Sequence, residues 1–77
     1  MNKIRRNQVG EALEKLQELQ DEIRVLLEEE EDYMNNIPEN LQGSSRYEIS
    51  EQAVENLQSA VDSIDEAISS LEESVAE

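Results

Sequence analysis

Residues 54–75 read VENLQSAVDSIDEAISSLEESV, and the spacing of their aliphatic residues decides the fold. Branched aliphatic side chains recur there in alternating steps of three and four residues, at Val54, Leu57, Val61, Ile64, Ile68, Leu71 and Val75. That period places them along one side of an α-helix. Ala53, Ala60 and Ala67 accompany the row every seven residues, and such small side chains let a neighbouring helix come close. The stretch therefore predicts an amphipathic helix with a seam for another helix.

A second, less regular apolar pattern precedes Pro38, the only proline of the chain. It follows the same alternating steps through Val9, Ala12, Leu16, Leu19, Ile23, Leu26, Tyr33 and Ile37. Glu30 occupies one core-type position, and Leu13, Leu27 and Met34 widen the row on one side. A row of this width is typical of a helix within a bundle.

The polar segment 36–44 separates the two patterns and predicts a connection between helices. Pro38 steers the preceding residue away from helical geometry, and Gly43 can end a short turn. Ser45 followed three residues later by Glu48 fits a capping box, so we expect the second helix to begin there. We predict a single helical domain over residues 1–77, with helix 1 at about 7–35, a linker at 36–44 and helix 2 at about 45–76.

These elements predict an all-α fold, an antiparallel helical hairpin that resembles a coiled coil. Two helices alone leave part of a wide apolar row in contact with water, so we expect a homodimer that forms a four-helix bundle. The residues expected at the oligomer seam are Leu16, Leu19, Ile23, Leu26, Val54, Leu57, Val61, Ile64, Ile68 and Leu71.

The charge of the chain indicates the class of its partner. Twenty Asp and Glu face six Lys and Arg, with no His, which gives a formal net charge of -14 at pH 7. After Arg46 the chain carries acidic residues and no basic one. Such a field repels nucleic acid and anionic membranes and attracts basic surfaces. We therefore expect a basic protein surface as the partner, for example a nucleic-acid-binding protein, with no direct contact to nucleic acid or membrane.

The acidic residues have two interpretations. A fixed row of anions on a rigid helix can imitate a phosphate backbone and bind Lys/Arg-rich grooves. The alternative is a solvated face that only keeps the protein in solution. The candidate partner-binding residues are Glu28, Glu29, Glu30, Glu31, Asp32, Glu48, Glu51, Glu55, Asp62, Asp65, Glu66, Glu72 and Glu73.

The composition argues against catalysis. The chain has no Cys and no His, so a nucleophile with an adjacent base and the Glu-x-x-His motif of di-iron bundles are both missing. Phosphate-binding and dinucleotide-binding motifs are also absent from the sequence. We expect a protein that is not an enzyme and takes no cofactor and no specific metal. No apolar run approaches the roughly 20 residues of a spanning helix, and a cytoplasmic location is the default expectation.

The stretch from Tyr33 to Glu48, YMNNIPENLQGSSRYE, together with the following AVENL and the repeated Ala-Val and Ala-Ile units, resembles small acidic helical proteins carried by phages and mobile elements of Gram-positive bacteria. The PENLQ linker at 38–42 is the most specific part of the resemblance, which covers about two thirds of the chain. It implies a phage-linked protein acting in the host cell cytoplasm and transfers no functional residues. By analogy with acidic phage inhibitors of DNA-acting enzymes, the first hypothesis is a nucleic-acid-mimicking inhibitor of a host defence or DNA-handling protein.

The second hypothesis is a structural or assembly module that binds a partner helix through its apolar seam, with the charge serving solubility alone. A subunit of an unidentified enzyme or a regulatory antitoxin is a third possibility that the sequence does not separate from these two.

Overall fold

The computed structural model describes residues 1–76 and contains two long helices joined by a short connection. Helix α1 spans Lys3–Asn35, a 3₁₀ turn spans Glu39–Leu41, and helix α2 spans Ser45–Val75. No strand occurs among the described residues. The predicted all-α helical hairpin is confirmed at this level.

Helix α1 begins at Lys3, about one turn before the predicted start. The side chain of Asn2 explains the early start, because its Oδ1 accepts a hydrogen bond from the main-chain N–H of Arg5 at 2.7 Å. This contact satisfies one of the free N–H groups that every helix start exposes. The basic residues of the first turn oppose the helix dipole, and the asparagine cap offsets part of that cost.

The connection is shaped by Pro38 on one side and by a serine cap on the other. Asn36 ends α1, with its N–H directed at the carbonyl oxygens of the last turn, and Pro38 prevents the helix from continuing. Ser44 caps α2, since its Oγ accepts the N–H of Tyr47 at 3.4 Å. The cap therefore lies one residue before the predicted Ser45, and the predicted capping box with Glu48 does not form. Glu48 remains in the first turn, where its charge favours the helix dipole.

The two helices run antiparallel along a rod of 59 × 15 × 14 Å. The facing residues on α1 and at its end are Val9, Leu13, Leu16, Gln20, Ile23, Leu27, Glu30, Met34 and Ile37, all buried or part-buried. Those on α2 are Tyr47, Ser50, Val54, Leu57, Val61, Ile64, Ile68, Leu71 and Val75. Both series keep an unbroken alternation of three and four residues, which is the spacing of a coiled-coil seam.

The seam of α1 differs from the predicted row by one residue at alternate positions. Leu13, Leu27 and Met34 face α2, although the sequence pattern assigned them to the flank. The corresponding predicted positions, Ala12, Leu19, Leu26 and Tyr33, are exposed. The α1 sequence carries apolar residues at both sets of positions, so the pattern alone does not choose between them. The predicted α1 row was therefore wrong in these four places.

The hairpin core is narrow. Among the described residues, the buried apolar side chains are Leu27, Ile37, Val61 and Ile68. Full burial of such a side chain contributes about 1.5–3 kcal/mol, so four of them give a small core for two helices of more than 30 residues. Leu19 and Leu26 remain 51% and 53% exposed. The chain therefore retains an apolar surface that its own fold does not cover.

Candidate functional site

A polar cluster ties the middle of the two helices together on one edge of the hairpin. Gln20 is 4% exposed, and its Nε2 donates to the carbonyl oxygen of Val61 at 3.1 Å and to Oδ1 of Asp65 at 2.5 Å. Two guanidinium nitrogens of Arg24 make separate contacts: Nη2 lies 3.6 Å from the same Asp65 oxygen, and Nη1 lies 3.6 Å from Oδ1 of Asp21. Asp65 was a candidate partner-binding acid, and the structure gives it intramolecular contacts to both Gln20 and Arg24.

A second polar pair lies nearer the connection. Ser50 is 2% exposed, and its hydroxyl donates to Oε1 of Glu30 at 2.9 Å. Glu30 occupies the core-type position that the sequence indicated and is part-buried there. Its carboxylate is therefore directed into the hairpin, where it is less available to a partner than an exposed acid.

Tyr33 and Arg46 meet on the opposite edge. Arg46 Nε donates to the Tyr33 hydroxyl at 2.5 Å, and the guanidinium carbon lies 5.6 Å from the ring centroid, within the range of a cation–π contact. This pair establishes which residues of α1 and α2 share that edge. Residues at seven-residue steps from Tyr33 and Arg46 lie on the same edge, because seven residues make nearly two helical turns.

The candidate acids do not all lie on one surface. Consecutive residues of a helix are separated by about 100°, so the run from Glu28 to Asp32 wraps around α1. Glu28 lies towards the Arg24–Asp65 edge, and Glu30 faces α2. Glu29 lies towards the Tyr33–Arg46 edge, and Asp32 lies on the outer side. Glu66 and Glu73 also lie on the outer side, on α2, and both are exposed.

Ten acids, Glu28 among them, form one continuous band, which we call the acidic edge. Its position follows from the Arg24–Asp65 and Gln58–Asp62 contacts and from the helical period. Its residues are Glu14, Asp21, Glu28 and Glu31 on α1, and Glu48, Glu51, Glu55, Asp62, Asp65 and Glu72 on α2. All of them are exposed except Glu31, which is part-buried. Glu14 and Asp21 are members that the sequence reasoning missed, although the contact between Asp21 and Arg24 follows an ordinary three-residue helical spacing.

The ten residues expected at an oligomer seam divide into two groups. Eight are buried or part-buried between α1 and α2 of the single chain, namely Leu16, Ile23, Val54, Leu57, Val61, Ile64, Ile68 and Leu71. Leu19 and Leu26 are half-exposed on the Tyr33–Arg46 edge. A role of the whole set in an oligomer stays a prediction, whereas the eight inner residues hold the hairpin itself together.

The Tyr33–Arg46 edge carries four exposed large apolar side chains, Leu19, Leu26, Tyr33 and Ile49, and we call this surface the lateral face. On α1 it comprises Ala12, Lys15, Leu19, Glu22, Leu26, Glu29 and Tyr33. On α2 it comprises Arg46, Ile49, Ala53, Asn56, Ala60, Ser63, Ala67 and Ser70. Ile49 is 69% exposed, and Glu22, Val25 and Leu26 line an open depression of about 390 Å³. The seven-residue repeat of Ala53, Ala60 and Ala67 was the sequence signal for this surface.

Within residues 1–76, no group of three or more acidic side chains converges closely enough to hold a metal ion. Neither α1 nor α2 combines the length and the apolar character that membrane crossing requires.

No protein-family model, curated protein or solved structure matches the chain. The resemblance to acidic phage-borne proteins therefore rests on residues 33–48, the AVENL segment and the repeated Ala-Val and Ala-Ile units alone. The acidic edge and the lateral face are the two surfaces of the hairpin that bear on its function.

Proposed function

We propose that this chain is a non-enzymatic, cytoplasmic interaction protein whose acidic edge binds a basic protein surface. In its most concrete form it is a phage-linked mimic of nucleic acid that inhibits a host defence or DNA-handling protein. The observation that carries the proposal is the continuous band of carboxylates along one side of a rod 59 Å long. Rigid anions in a row are what a groove rich in Lys and Arg recognises in a phosphate backbone.

Charge density indicates which form of nucleic acid the acidic edge would imitate. Helix α2 has 31 residues and is therefore about 46 Å long. The ten acids of the edge, less the positive charge of Arg24 among them, give one net negative charge per roughly 5 Å over that length. A DNA duplex carries about one charge per 1.7 Å of axis, and each of its strands about one per 3.4 Å. The acidic edge therefore approaches the charge density of one strand, and a groove that tracks a single backbone fits it best.

Intramolecular contacts support a binding role for part of the edge. Glu28 and Glu55 are exposed, and Asp62 accepts a hydrogen bond from Gln58, a neighbour on its own helix. Basic residues are confined to the N-terminal region, Lys15, Arg24 and Arg46, so few cations are placed to neutralise this band. The carboxylates therefore remain available to cations from outside the chain.

Capture from a host lysate at low and at high salt tests this function. The proposal expects a nucleic-acid-binding protein that is retained at low salt, is released at high salt and is displaced by added DNA. Retention of a partner through the high-salt wash, unaffected by DNA, would contradict binding through the acidic edge.

The alternative function is a structural or assembly module that docks on a partner helix. The half-exposed Leu19 and Leu26 favour it. Because the inner seam is covered by the hairpin itself, this function would use the lateral face. Binding would then survive high salt and be lost when Leu19 and Leu26 are replaced by Glu. We further propose that the chain acts as a homodimer in the form of a four-helix bundle.

A further inference from the structure

We infer that the lateral face is the interface between two copies of this chain, packed about a twofold axis that sets α1 antiparallel to α1 of the second copy. This inference rests on the homodimer included in the proposed function and adds its surface, its orientation and its contacts. It also assigns the two surfaces different tasks, with self-association on the lateral face and partner binding on the acidic edge.

The solvent-exposed area of the hairpin is larger than that of a compact monomer of the same mass, which indicates that part of its surface is covered in an assembly. The chain exposes 5823 Å². A compact monomer of 8.8 kDa exposes about 4,800 Å² by the usual scaling with mass, so the excess is about 1,000 Å². A standard stable interface removes about 800 Å² from each partner. Covering the lateral face with a second copy would therefore bring the exposed area per chain close to that of ordinary folded proteins.

The charge distribution favours a second copy over a basic partner at this surface. The lateral face carries two basic residues, Lys15 and Arg46, and two acidic ones, Glu22 and Glu29. It is thus neutral in a chain of net charge -14, and the whole acidic excess lies outside it. Two copies can approach through this face with the least mutual repulsion, whereas a basic protein is attracted to the acidic edge.

The order of residues along α1 is self-complementary. Lys15 and Glu29 each lie seven residues from Glu22, on opposite sides of it. A twofold axis at Glu22, perpendicular to α1, therefore places Lys15 of each copy opposite Glu29 of the other. The same axis brings Leu19, three residues to one side, within one residue of Leu26, four residues to the other, an offset of about 1.5 Å along the helix. One arrangement thus forms two ion pairs and two Leu–Leu contacts, as an isologous interface requires.

The α2 part of the lateral face is compatible with this twofold packing because small side chains repeat along it. Its part of the lateral face carries Ala53, Ala60 and Ala67, with uncharged Asn56 and Ser63 between them. Within α2 this face contains no acidic residue. Small residues allow two helices to approach closely, so the α2 side does not keep the α1 helices apart.

Sedimentation equilibrium over a range of protein concentration tests the interface. We expect the wild-type chain to be a dimer and the variant L19E/L26E to be a monomer with unchanged helicity by circular dichroism, because both side chains are half-exposed in the hairpin. Ile4→Glu is the matched control, since Ile4 is 73% exposed and lies off the lateral face. It should remain dimeric. A monomeric wild-type chain, or a dimer that survives L19E/L26E, would overturn the inference.

A charge exchange tests the antiparallel pairing. Lys15→Glu and Glu29→Lys should each weaken dimerisation about tenfold, because two attractive pairs become repulsive. The double variant K15E/E29K should restore the wild-type dissociation constant. Glu22→Gln should strengthen the dimer, since two carboxylates meet at the axis. Absence of restoration in the double variant would overturn the proposed pairing. These measurements involve no foreign partner, so their failure is distinguishable from a failure of the acidic edge to bind one.

Discussion

The side-chain amide of Gln20 donates a hydrogen bond to the main-chain carbonyl oxygen of Val61, 3.1 Å away, across the middle of the hairpin. It is a polar residue at a seam position, with 4% of its surface exposed. Polar residues at such positions fix the register of coiled coils at a cost in stability. Gln20 can bond to α2 in this way only when it lies level with Val61, so the pair fixes how the helices are aligned.

Replacing Gln20 by Leu should therefore raise the stability of the hairpin and leave the alignment of α1 against α2 less well fixed. We expect the free energy of unfolding to rise by about 1–2 kcal/mol, because an apolar side chain replaces a buried amide of similar size. Chemical denaturation checks the stability, and disulfide trapping between Cys residues introduced at aligned and misaligned sites checks the register. Gln52→Leu, at an exposed position of α2, is the control and should change neither. Lower stability of the Gln20→Leu variant would show that its hydrogen bonds outweigh the packing gain.

The Glu30–Ser50 pair should contribute measurably to stability. Ser50→Ala removes the donor and leaves the part-buried carboxylate of Glu30 without that bond, at a cost of about 1–2 kcal/mol. Ser59→Ala is the matched control, because Ser59 is exposed on the same helix and lies off the lateral face. Both substitutions share the gain in helix propensity of Ala over Ser. Urea denaturation of the two variants gives the difference. Equal stabilities would mean that Glu30 finds adequate hydration despite its position.

Ser44 caps α2 and Ser45 does not, so substitutions at these two neighbouring serines should differ in their effect on stability. Ser44→Ala should destabilise the hairpin by about 1 kcal/mol, since the Tyr47 N–H loses its acceptor. Ser45→Ala should have little effect or stabilise slightly, because Ser45 lies in the first turn of the helix. Thermal unfolding followed by circular dichroism compares them. The reverse order would indicate the capping box that the sequence predicted in place of the observed cap.

Leu26 and Leu27 are neighbours in α1, but only Leu27 lies in the seam that faces α2. Leu27 is 6% exposed and Leu26 is 53% exposed. Leu27→Ala should therefore cost about 2–3 kcal/mol, whereas Leu26→Ala should cost less than about 1 kcal/mol when measured on the dilute monomer. Denaturant titrations at low protein concentration provide both values. A larger loss for Leu26→Ala would support the row first predicted from the sequence.

The sequence predicted the fold class because α2 and the linker agree with each other. The strict spacing of Val61, Ile64 and Ile68 has one helical interpretation, and Pro38 limits where α1 can end. The residues of α1 that face α2 were harder to predict. Aliphatic residues occupy both position 26 and position 27, and a Gln occupies position 20 of the observed seam. Hydrophobicity favours Leu19 over Gln20 for the seam, and only the contact with Val61 shows why the Gln is inside.

The candidate site was predictable only in part. Composition indicates an acidic surface, but it does not show that Glu30 faces Ser50 or that Asp65 contacts Gln20 and Arg24. Both facts depend on how α1 and α2 are aligned, which the sequence pattern does not fix. Asp21 was overlooked because it lies outside the long acidic run, yet the hairpin places it beside the acids of α2.

The central claim is that the acidic edge, and not net charge alone, binds a basic partner. Two triple variants with equal net charge test it most directly: E28K/E55K/D62K alters the acidic edge, whereas D32K/E66K/E73K alters the outer side. Binding of each to the captured partner should be measured by calorimetry at one salt concentration, with helicity checked in parallel. We expect the first variant to lose binding and the second to retain most of it. Equal losses would show that only the total charge matters and would contradict the account.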